Sequence, residues 1–433
     1  MGGFLSCVGI LGFSSLGYFK KINHKYVQKV TFLLAMSILI ILIMLFISKS
    51  RAGWLAFVVS GIFLIERRFY VFKNVSKKKK IAFLIMLIGF LLISMSFINI
   101  DSVRGRFFIW KNTLEIIRDN PLLGVGFDNF KTYYMDYQGK YFEENMRAKE
   151  YLLADDVEFA FNSWLQLTSE NGIVGFVLVI YLVLLISKNN VGKEDLDKNL
   201  IVQTGLLCVG IFGLFSYPMQ ILPLKIIITV LLAYKSSMMS RKIKLASIQI
   251  QYPKATGFFG ALVTLSLVFI VSNYLIGLDR GLKSWKHGLN KYRFGGYEIS
   301  VKDFQNGYFY LNRNGDFLRH YGLALSKSGK PREAIKVLEK AGNIYNMSSI
   351  QLELGNNYMD LGCFEEAEKA YLKASSMVPN LFAPDFGLVK LYHMTNQNEK
   401  KQLVAKRMLT KEVKINSLSI EEMKIEVIRI LSQ

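Results

Sequence analysis

Long apolar runs alternate with short charged stretches through the first two thirds of the chain. A helix needs roughly 20 apolar residues to cross about 30 Å of hydrocarbon, and eight runs approach that length. They lie at 3–19, 30–47, 52–65, 81–99, 172–187, 200–217, 219–235 and 257–277. The third run is short, and Pro223 interrupts the seventh. This pattern predicts an all-α fold that contains a polytopic bundle of about eight transmembrane helices.

Basic residues gather in four of the connections, around Lys20–Lys29, Arg67–Lys80, Lys188–Lys198 and Lys235–Lys254. All four fall on one side if the eight runs cross a membrane. Because cytoplasmic loops are enriched in lysine and arginine, we expect this side to be the cytoplasm and the chain to start outside. The turn around 49–51, the loop 100–171 and everything after 277 are then external.

Beyond about residue 285, apolar residues take helical spacing, and glycine and alanine recur every 33 residues. The recurring pairs are Gly322 and Gly355, Gly329 and Gly362, Ala334 and Ala367, and Ala341 and Ala374. This interval is close to the 34-residue period of tetratricopeptide repeats. Fainter copies begin near Gly288 and after Gly387. Since such units stack into a curved array, we expect an α-solenoid whose concave face contacts a partner protein or a glycan.

The runs and the repeats together predict four regions. These are transmembrane helices 1–4 at 1–99, an external loop at 100–171, transmembrane helices 5–8 at 172–277, and a repeat domain at 278–433.

Composition and charge support a membrane location. The chain is 52% hydrophobic, which is too apolar for an ordinary soluble enzyme. Its net charge of +21 would suggest nucleic acid in a soluble protein. Here most of the excess lies in the predicted cytoplasmic loops, where it meets anionic lipid, so we expect no nucleic-acid partner. The cysteines form no motif and the external loop contains no histidine, so we expect no metal or other cofactor.

Two external clusters contain basic residues. Lys49 and Arg51 lie in a turn where the positive-inside tendency disfavours them. Arg104 and Arg106 open a segment of helical spacing, which predicts an amphipathic helix on the membrane surface. A guanidinium group binds phosphate oxygens in pairs and stays ionised, so an anionic ligand is one interpretation. The alternatives are contacts of these side chains with lipid headgroups, or a salt bridge to Asp101.

A third cluster closes the external loop at 155–171. Read as one helix, its sequence puts Glu158 and Asn162 on one face and Phe161 with Trp164 on the other. A carboxylate and an amide would then point the same way. The alternative is that Glu158 is an ordinary solvated surface residue.

The order of these clusters resembles the O-antigen ligase and polymerase superfamily over roughly residues 45–235. The matching segments are Ser-Lys-Ser-Arg-Ala-Gly at 48–53, Arg-Phe-Phe-Ile-Trp at 106–110, Asn-Pro-Leu-Leu-Gly-Val-Gly-Phe at 120–127, Phe-Asn-Ser-Trp-Leu-Gln at 161–166, Glu-Asn-Gly-Ile-Val-Gly at 170–175 and Ser-Tyr-Pro at 216–218. A joined tetratricopeptide tail also occurs in members of this superfamily. Members usually have more spans ahead of the first segment, so we expect a shortened N terminus.

The resemblance implies a glycosyltransferase-type ligase of lipopolysaccharide biosynthesis in the inner membrane of a Gram-negative bacterium. Such a ligase takes a saccharide from undecaprenyl diphosphate on the periplasmic face and passes it to lipid A-core or a protein. The alternatives are an O-antigen polymerase, which joins lipid-linked repeat units, and a non-enzymatic membrane-anchored repeat scaffold.

The resemblance also implies roles for individual residues. Family arginines that match Arg51 and one of the pair Arg104 and Arg106 hold the diphosphate, and Arg106, four residues before Trp110, is the more natural match of the pair. Lys49 lies two residues before Arg51 and is a further candidate. Many ligases carry a histidine where this chain has Phe161. Glu158 is therefore the candidate acceptor-activating group, with Asn162 as a second catalytic candidate.

Overall fold

The computed structural model describes residues 1–19, 25–71, 76, 100–145, 149–188, 191–192, 195–240 and 254–433. These residues form helices, turns and loops without a strand, which confirms the predicted all-α class for the described ranges. The predicted fourth span, 81–99, lies outside the described residues, as do parts of all four lysine-rich connections.

The chain divides into two compact units. The first comprises Met1–Phe127 and Phe159–Ile248, and the second comprises Asp128–Glu158 and Gln249–Gln433. The described helices of the first unit are α1 Gly2–Phe19, α2 Lys25–Ile47, α3 Arg51–Phe69, α4 Ile100–Asp119, α6 Ser163–Ser187, α7 Leu196–Gly213 and α8 Leu222–Ser240. Those of the second are α5 Phe130–Glu144, α9 Lys254–Arg293, α10 Tyr297–Leu311, α11 Gly315–Lys327, α12 Pro331–Gly342, α13 Ser348–Asp360, α14 Phe364–Met377, α15 Ala383–Met394, α16 Asn398–Thr410 and α17 Leu418–Leu431.

Four of the described helices are long and apolar enough to cross a membrane. Their apolar stretches are Tyr26–Ile47, Ser163–Ser187, Leu196–Gly213 and Phe259–Arg293. Together with their composition, these helices support an integral membrane protein. The count of eight spans, the sidedness and the predicted boundaries at 99, 171 and 277 stay predictions. Pro223, which interrupts the seventh apolar run, lies in the first turn of α8, where proline is well tolerated.

Small residues let the helices of the first unit approach closely. The first helix packs against α2, α3 and α7. A Cβ atom built on Gly53 would come within 2.9 Å of the Gly2 carbonyl oxygen, and one on Gly205 would come within 2.7 Å of Leu11. Close helix packing of this kind is typical of membrane bundles, where van der Waals contact drives association. It fixes the N-terminal end of α3, where Arg51 lies.

In the second unit, α9 to α17 follow one another as consecutively packed helices. Four residues in the connections have a left-handed backbone with φ between 58° and 79°, namely Gly295, Gly329, Gly362 and Asn396. They are separated by 34, 33 and 34 residues. Because glycine and asparagine tolerate this conformation best, the recurring glycines of the sequence are explained in part by equivalent turns.

A second regularity concerns the glycines inside helices. A Cβ atom added to one of them would contact the side chain found 16 residues later, on the following helix. The pairs and distances are Gly288 and Phe304 at 3.2 Å, Gly322 and Leu338 at 2.5 Å, and Gly355 and Tyr371 at 2.5 Å. Glycine is therefore required by packing at equivalent places in successive helix pairs, as expected of a repeat array.

Candidate functional site

Arg51 is the first residue of α3. The preceding Ser50 has an extended backbone, and its hydroxyl oxygen accepts a hydrogen bond from the Gly53 N–H at 3.3 Å. This is an N-cap, which satisfies one of the free donors of the first turn. The guanidinium group is thus attached to a fixed helix start, where the helix dipole also favours anions.

The helix predicted to follow Arg104 is seen as α4, which ends at Asp119 directly before Asn120 and Pro121, while its position on the membrane surface stays a prediction. Its buried side chains are Phe108, Ile109, Asn112, Thr113 and Ile116, whereas Phe107 and Leu114 are exposed. Arg104 is exposed and Arg106 is half-buried, because residues two apart on a helix face different ways. Asp101 is exposed in the first turn of α4, and no ion pair between it and either arginine is seen among the described residues.

A backbone interlock fixes the end of α4 against α6. The sixth helix breaks at Gly172, which has φ 64°. The N–H groups of Ile173 and Val174 instead donate to Pro121 and Leu122, and the Ser169 and Glu170 carbonyls accept from residues 125 and 126. A Cβ atom on Gly172 would lie 2.0 Å from the Leu122 oxygen. Such a broken helix is tolerated at membrane depth because the neighbouring segment satisfies its backbone groups.

Arg106 lies in an aromatic and cationic environment. Its guanidinium carbon is 5.7 Å from the centroid of the Phe161 ring, within the range of a cation–π contact. Burial lowers the pKa of Arg106 below its ordinary value, and the positive charge of Arg51 lowers it further. Two guanidinium groups therefore lie close enough to repel one another, an arrangement that a bound anion would stabilise.

Three aromatic side chains form a group around Arg106, which we call the aromatic group: Phe159, Phe161 and Tyr217. Tyr217 stacks on Phe159 with ring centroids 4.7 Å apart, and it meets Phe161 edge-on at 5.3 Å. Trp110, one turn along α4 from Arg106, donates its indole N–H to the Ala160 carbonyl at 2.9 Å. The group is therefore held by α4 on one side and by the turn after α7 on the other.

The helical interpretation of residues 157–162 is wrong. The sixth helix begins at Ser163, and Phe161 has a left-handed backbone with φ 50°. Asn162 is the N-cap, since its side-chain oxygen accepts from the Trp164 and Leu165 N–H groups at 3.0 and 3.1 Å. A capping residue must leave helical geometry, and this is why the helix cannot extend back to Glu158. The left-handed Phe161 is costly for an aromatic residue, and such strain clusters at functional sites.

Glu158 is exposed and lies in the second unit, where it accepts a hydrogen bond from the Tyr345 hydroxyl. Burial and this hydrogen bond raise the pKa of Tyr345, so the hydroxyl remains the donor. The side-chain oxygen of Asn162 is already engaged in capping, as described above. The structure therefore does not place the two catalytic candidates on one helix face, and their roles remain predictions.

Among the cationic candidates, the structure brings Arg51 and Arg106 together. Lys49 and Arg104 are exposed. Sequence reasoning did not predict that Tyr217 belongs to the site, although the segment Ser-Tyr-Pro at 216–218 was among those that resemble the superfamily. It also missed Tyr345, for which no local signal exists, because its partner is 187 residues away in the chain.

Residues 35–180 match the family model described as O-Antigen ligase. This range is about a third of the chain and contains the six site residues predicted from the sequence, whereas Tyr217 and Tyr345 lie beyond it. No curated protein matches the chain. The match supports the resemblance seen in the sequence, and with it a membrane glycan enzyme of the O-antigen ligase or polymerase type.

Proposed function

We propose that this protein is a membrane glycan ligase that transfers a saccharide from undecaprenyl diphosphate to lipid A-core or a protein acceptor. The observation that carries the proposal is the half-buried Arg106 against the Phe161 ring, with the charge of Arg51 near enough to lower the pKa of Arg106 further. The reaction takes place on the periplasmic face of the inner membrane, with α4 lying at the lipid–water boundary.

The chemistry requires fixed positive charge. As the glycosidic bond breaks, the diphosphate leaves as an anion, and guanidinium groups already in position stabilise the developing charge without reorganisation. Arg51 and Arg106 are placed by a helix start and by a helix locked through backbone hydrogen bonds. Their mutual repulsion in the free protein is relieved when the diphosphate binds, so the ligand gains from both cations.

The saccharide needs a surface, and the acceptor needs a proton acceptor. The faces of Phe159, Phe161 and Tyr217 suit the apolar faces of a sugar ring. Glu158 is proposed to accept the proton of the incoming hydroxyl, since an oxocarbenium-like centre tolerates a weakly activated nucleophile.

The repeat array of the second unit is proposed to consist of tetratricopeptide repeats. The equivalent left-handed turns and the equivalent glycine contacts support this assignment. The apolar part of α9 continues without interruption into the first repeat helix over 40 residues, about 60 Å. One continuous helix therefore joins this apolar stretch to the array.

Three substitutions on one helix test the cationic site. Replacing Arg106 by Ala is expected to lower the transfer rate by about 10²- to 10³-fold, the usual effect of losing one fixed donor at a developing anion. Arg106→Lys should recover only part of the rate, because an ammonium group lacks the planar fork. Arg118→Ala is the matched control, since this exposed arginine on the same helix pairs with Glu115. Glycan attachment is measured in a deletion strain that expresses each variant.

Two outcomes would contradict the proposal. Unchanged glycan attachment in both Arg51→Ala and Arg106→Ala, at normal membrane levels, would favour the non-enzymatic scaffold. Single repeat units on the core in the deletion strain would indicate a polymerase, because loss of a ligase instead leaves long chains on the lipid carrier. Arg104→Ala then separates the two arginines of α4, and we expect its effect to be the smaller.

A further inference from the structure

The loop helix α5 is bound to the repeat helices by both apolar and polar contacts. Phe130, Tyr134 and Met135 are completely buried. The fully buried Gln138 donates from its amide nitrogen to the Met377 carbonyl at 2.6 Å and to the Asp155 carbonyl at 3.0 Å. Buried amides are retained only where their hydrogen bonds are made. Gln138 therefore ties α5 both to the end of α14 and to the returning part of the loop.

Further polar contacts lie along the same helix. Asp136 accepts from the Asn346 side chain and pairs with Lys373, both at 2.9 Å. Thr132 donates to the Ile344 carbonyl at 2.9 Å. The connection after α12 and the C-terminal half of α14 thus both contact α5.

The returning segment 149–158 is held in the same way. Asn380 donates to the carbonyls of Tyr151 and Ala154 at 2.9 and 2.8 Å. Asp156 accepts from both the backbone N–H and the hydroxyl of Ser348, each at 2.8 Å. Met347, the residue before α13, offers no side-chain cap. The loop therefore supplies the capping carboxylate that this repeat helix lacks.

The loop contacts the array in the way that a ligand contacts its binding site. The loop buries aromatic side chains, satisfies buried donors and completes a helix start of the array. We propose that the ligand of the repeat array is two segments of this same chain, 128–145 and 149–158, bound in cis, and that the array holds the end of the second segment at Glu158. The second half of this inference, in which Tyr345 is a positioning residue for Glu158, rests on the proposed function.

Disulfide trapping tests the bound state in the full-length protein. A Cβ atom on Gly139 would lie 3.1 Å from the Ser376 hydroxyl oxygen, close to the separation of about 3 Å between a Cβ atom and the distant sulfur in a disulfide. In a Cys363→Ser background, the double variant Gly139→Cys and Ser376→Cys should form a disulfide on oxidation. Lys140→Cys with Ser376→Cys is the control, because Lys140 is exposed on α5 and should not cross-link.

Mass spectrometry of mixed light and isotope-labelled protein shows whether the bridge is within one chain. Only light–light and heavy–heavy peptide pairs are expected. Disulfide-linked light–heavy peptide pairs would overturn binding in cis. A disulfide yield no higher than that of the Lys140→Cys control would overturn it as well. A zero-length carbodiimide cross-link between Lys373 and Asp136 of the unmodified protein gives the same information without any substitution, and its absence would also count against the inference.

The positioning role has a separate kinetic test. Tyr345→Phe should lower kcat about tenfold or more, the usual size for a lost hydrogen bond to a charged group, and leave KM for the lipid donor unchanged. Tyr358→Phe is the matched control, since Tyr358 makes an equivalent bond of 2.8 Å to Glu339 within the array. Equal kcat in the two variants would overturn the positioning role. If Arg106→Ala retains transfer while the disulfide forms, the proposed function fails and binding of the loop in cis stands.

Discussion

Replacing Asp156 by Ala removes a cap that belongs to a distant helix. Ser348, the first residue of α13, is 1% exposed and donates twice to this carboxylate. Both donors of Ser348 are buried, so bulk water does not reach them once the loop is bound. The substitution leaves the backbone N–H and the hydroxyl of Ser348 without their acceptor, so we expect α13 and the segment 149–158 to loosen together.

The magnitude follows from these two losses. A lost N-cap costs about 0.5–2 kcal/mol, and a buried hydroxyl left without its partner costs about 1–3 kcal/mol. We expect a combined loss of about 2–4 kcal/mol in the free energy of local opening. Since about 1.4 kcal/mol corresponds to a factor of ten, amides of the first turn of α13 should exchange about 30- to 1,000-fold faster.

Hydrogen exchange of the detergent-solubilised full-length protein, followed by mass spectrometry, measures this change in peptides from α13 and from 149–158. Asp155→Ala is the matched control, because this exposed carboxylate accepts from the neighbouring Asp156 N–H at 2.9 Å rather than from Ser348, and its loss should cost about 1 kcal/mol or less. Asp156→Asn keeps one acceptor oxygen, so its exchange rates in α13 should lie between those of the two alanine variants. If the α13 amides exchange at the same rate in Asp156→Ala and in Asp155→Ala, the loop does not cap α13 and the reasoning is refuted.

Three further predictions concern backbone geometry, packing and charge. Gly172→Ala should prevent accumulation of folded protein in the membrane, because the new Cβ atom would clash with the Leu122 oxygen and the left-handed backbone adds strain; size-exclusion profiles measure this. Gly355→Ala should lower stability by about 1–3 kcal/mol through overpacking against the Tyr371 ring, seen as a lower melting temperature. Burial lowers the pKa of His320, and the charge of Arg319 lowers it further. As the pH drops, the imidazole of the unfolded chain is therefore protonated before that of the folded chain, so thermal stability should fall below a pH of about 6.5. His320→Gln should remove this part of the pH dependence.

Much of the helical framework was predictable from local pattern. The apolar run at 30–47 and the break before Pro121 correspond to α2 and to the end of α4. Run length and proline placement act over a few residues, so they are visible without a fold. The prediction failed at residues 157–162, where helical spacing alone ignored the capping preference of Asn162.

The candidate site was only partly predictable for the same reason. The sequence indicated that arginines at 51, 104 and 106 belong to external clusters, and the resemblance favoured Arg106 over Arg104 because it lies four residues before Trp110. The half-burial of Arg106 beside Phe161 makes this distinction, and it depends on how α4 packs. The clustering of Arg51, Arg106 and Tyr217 requires contacts between segments more than 50 residues apart.

The sequence by itself determined the helical class, the apolar stretches suited to a membrane and the spacing of the repeats, because hydrophobic period and length are properties of contiguous residues. Tertiary structure alone decided that α5 and the segment 149–158 contact the repeat helices, that Asp156 caps α13, and that Glu158 accepts a hydrogen bond from Tyr345. These contacts join residues nearly 200 positions apart. Their free energy comes from burial and from hydrogen bonds that exist only once both segments have folded.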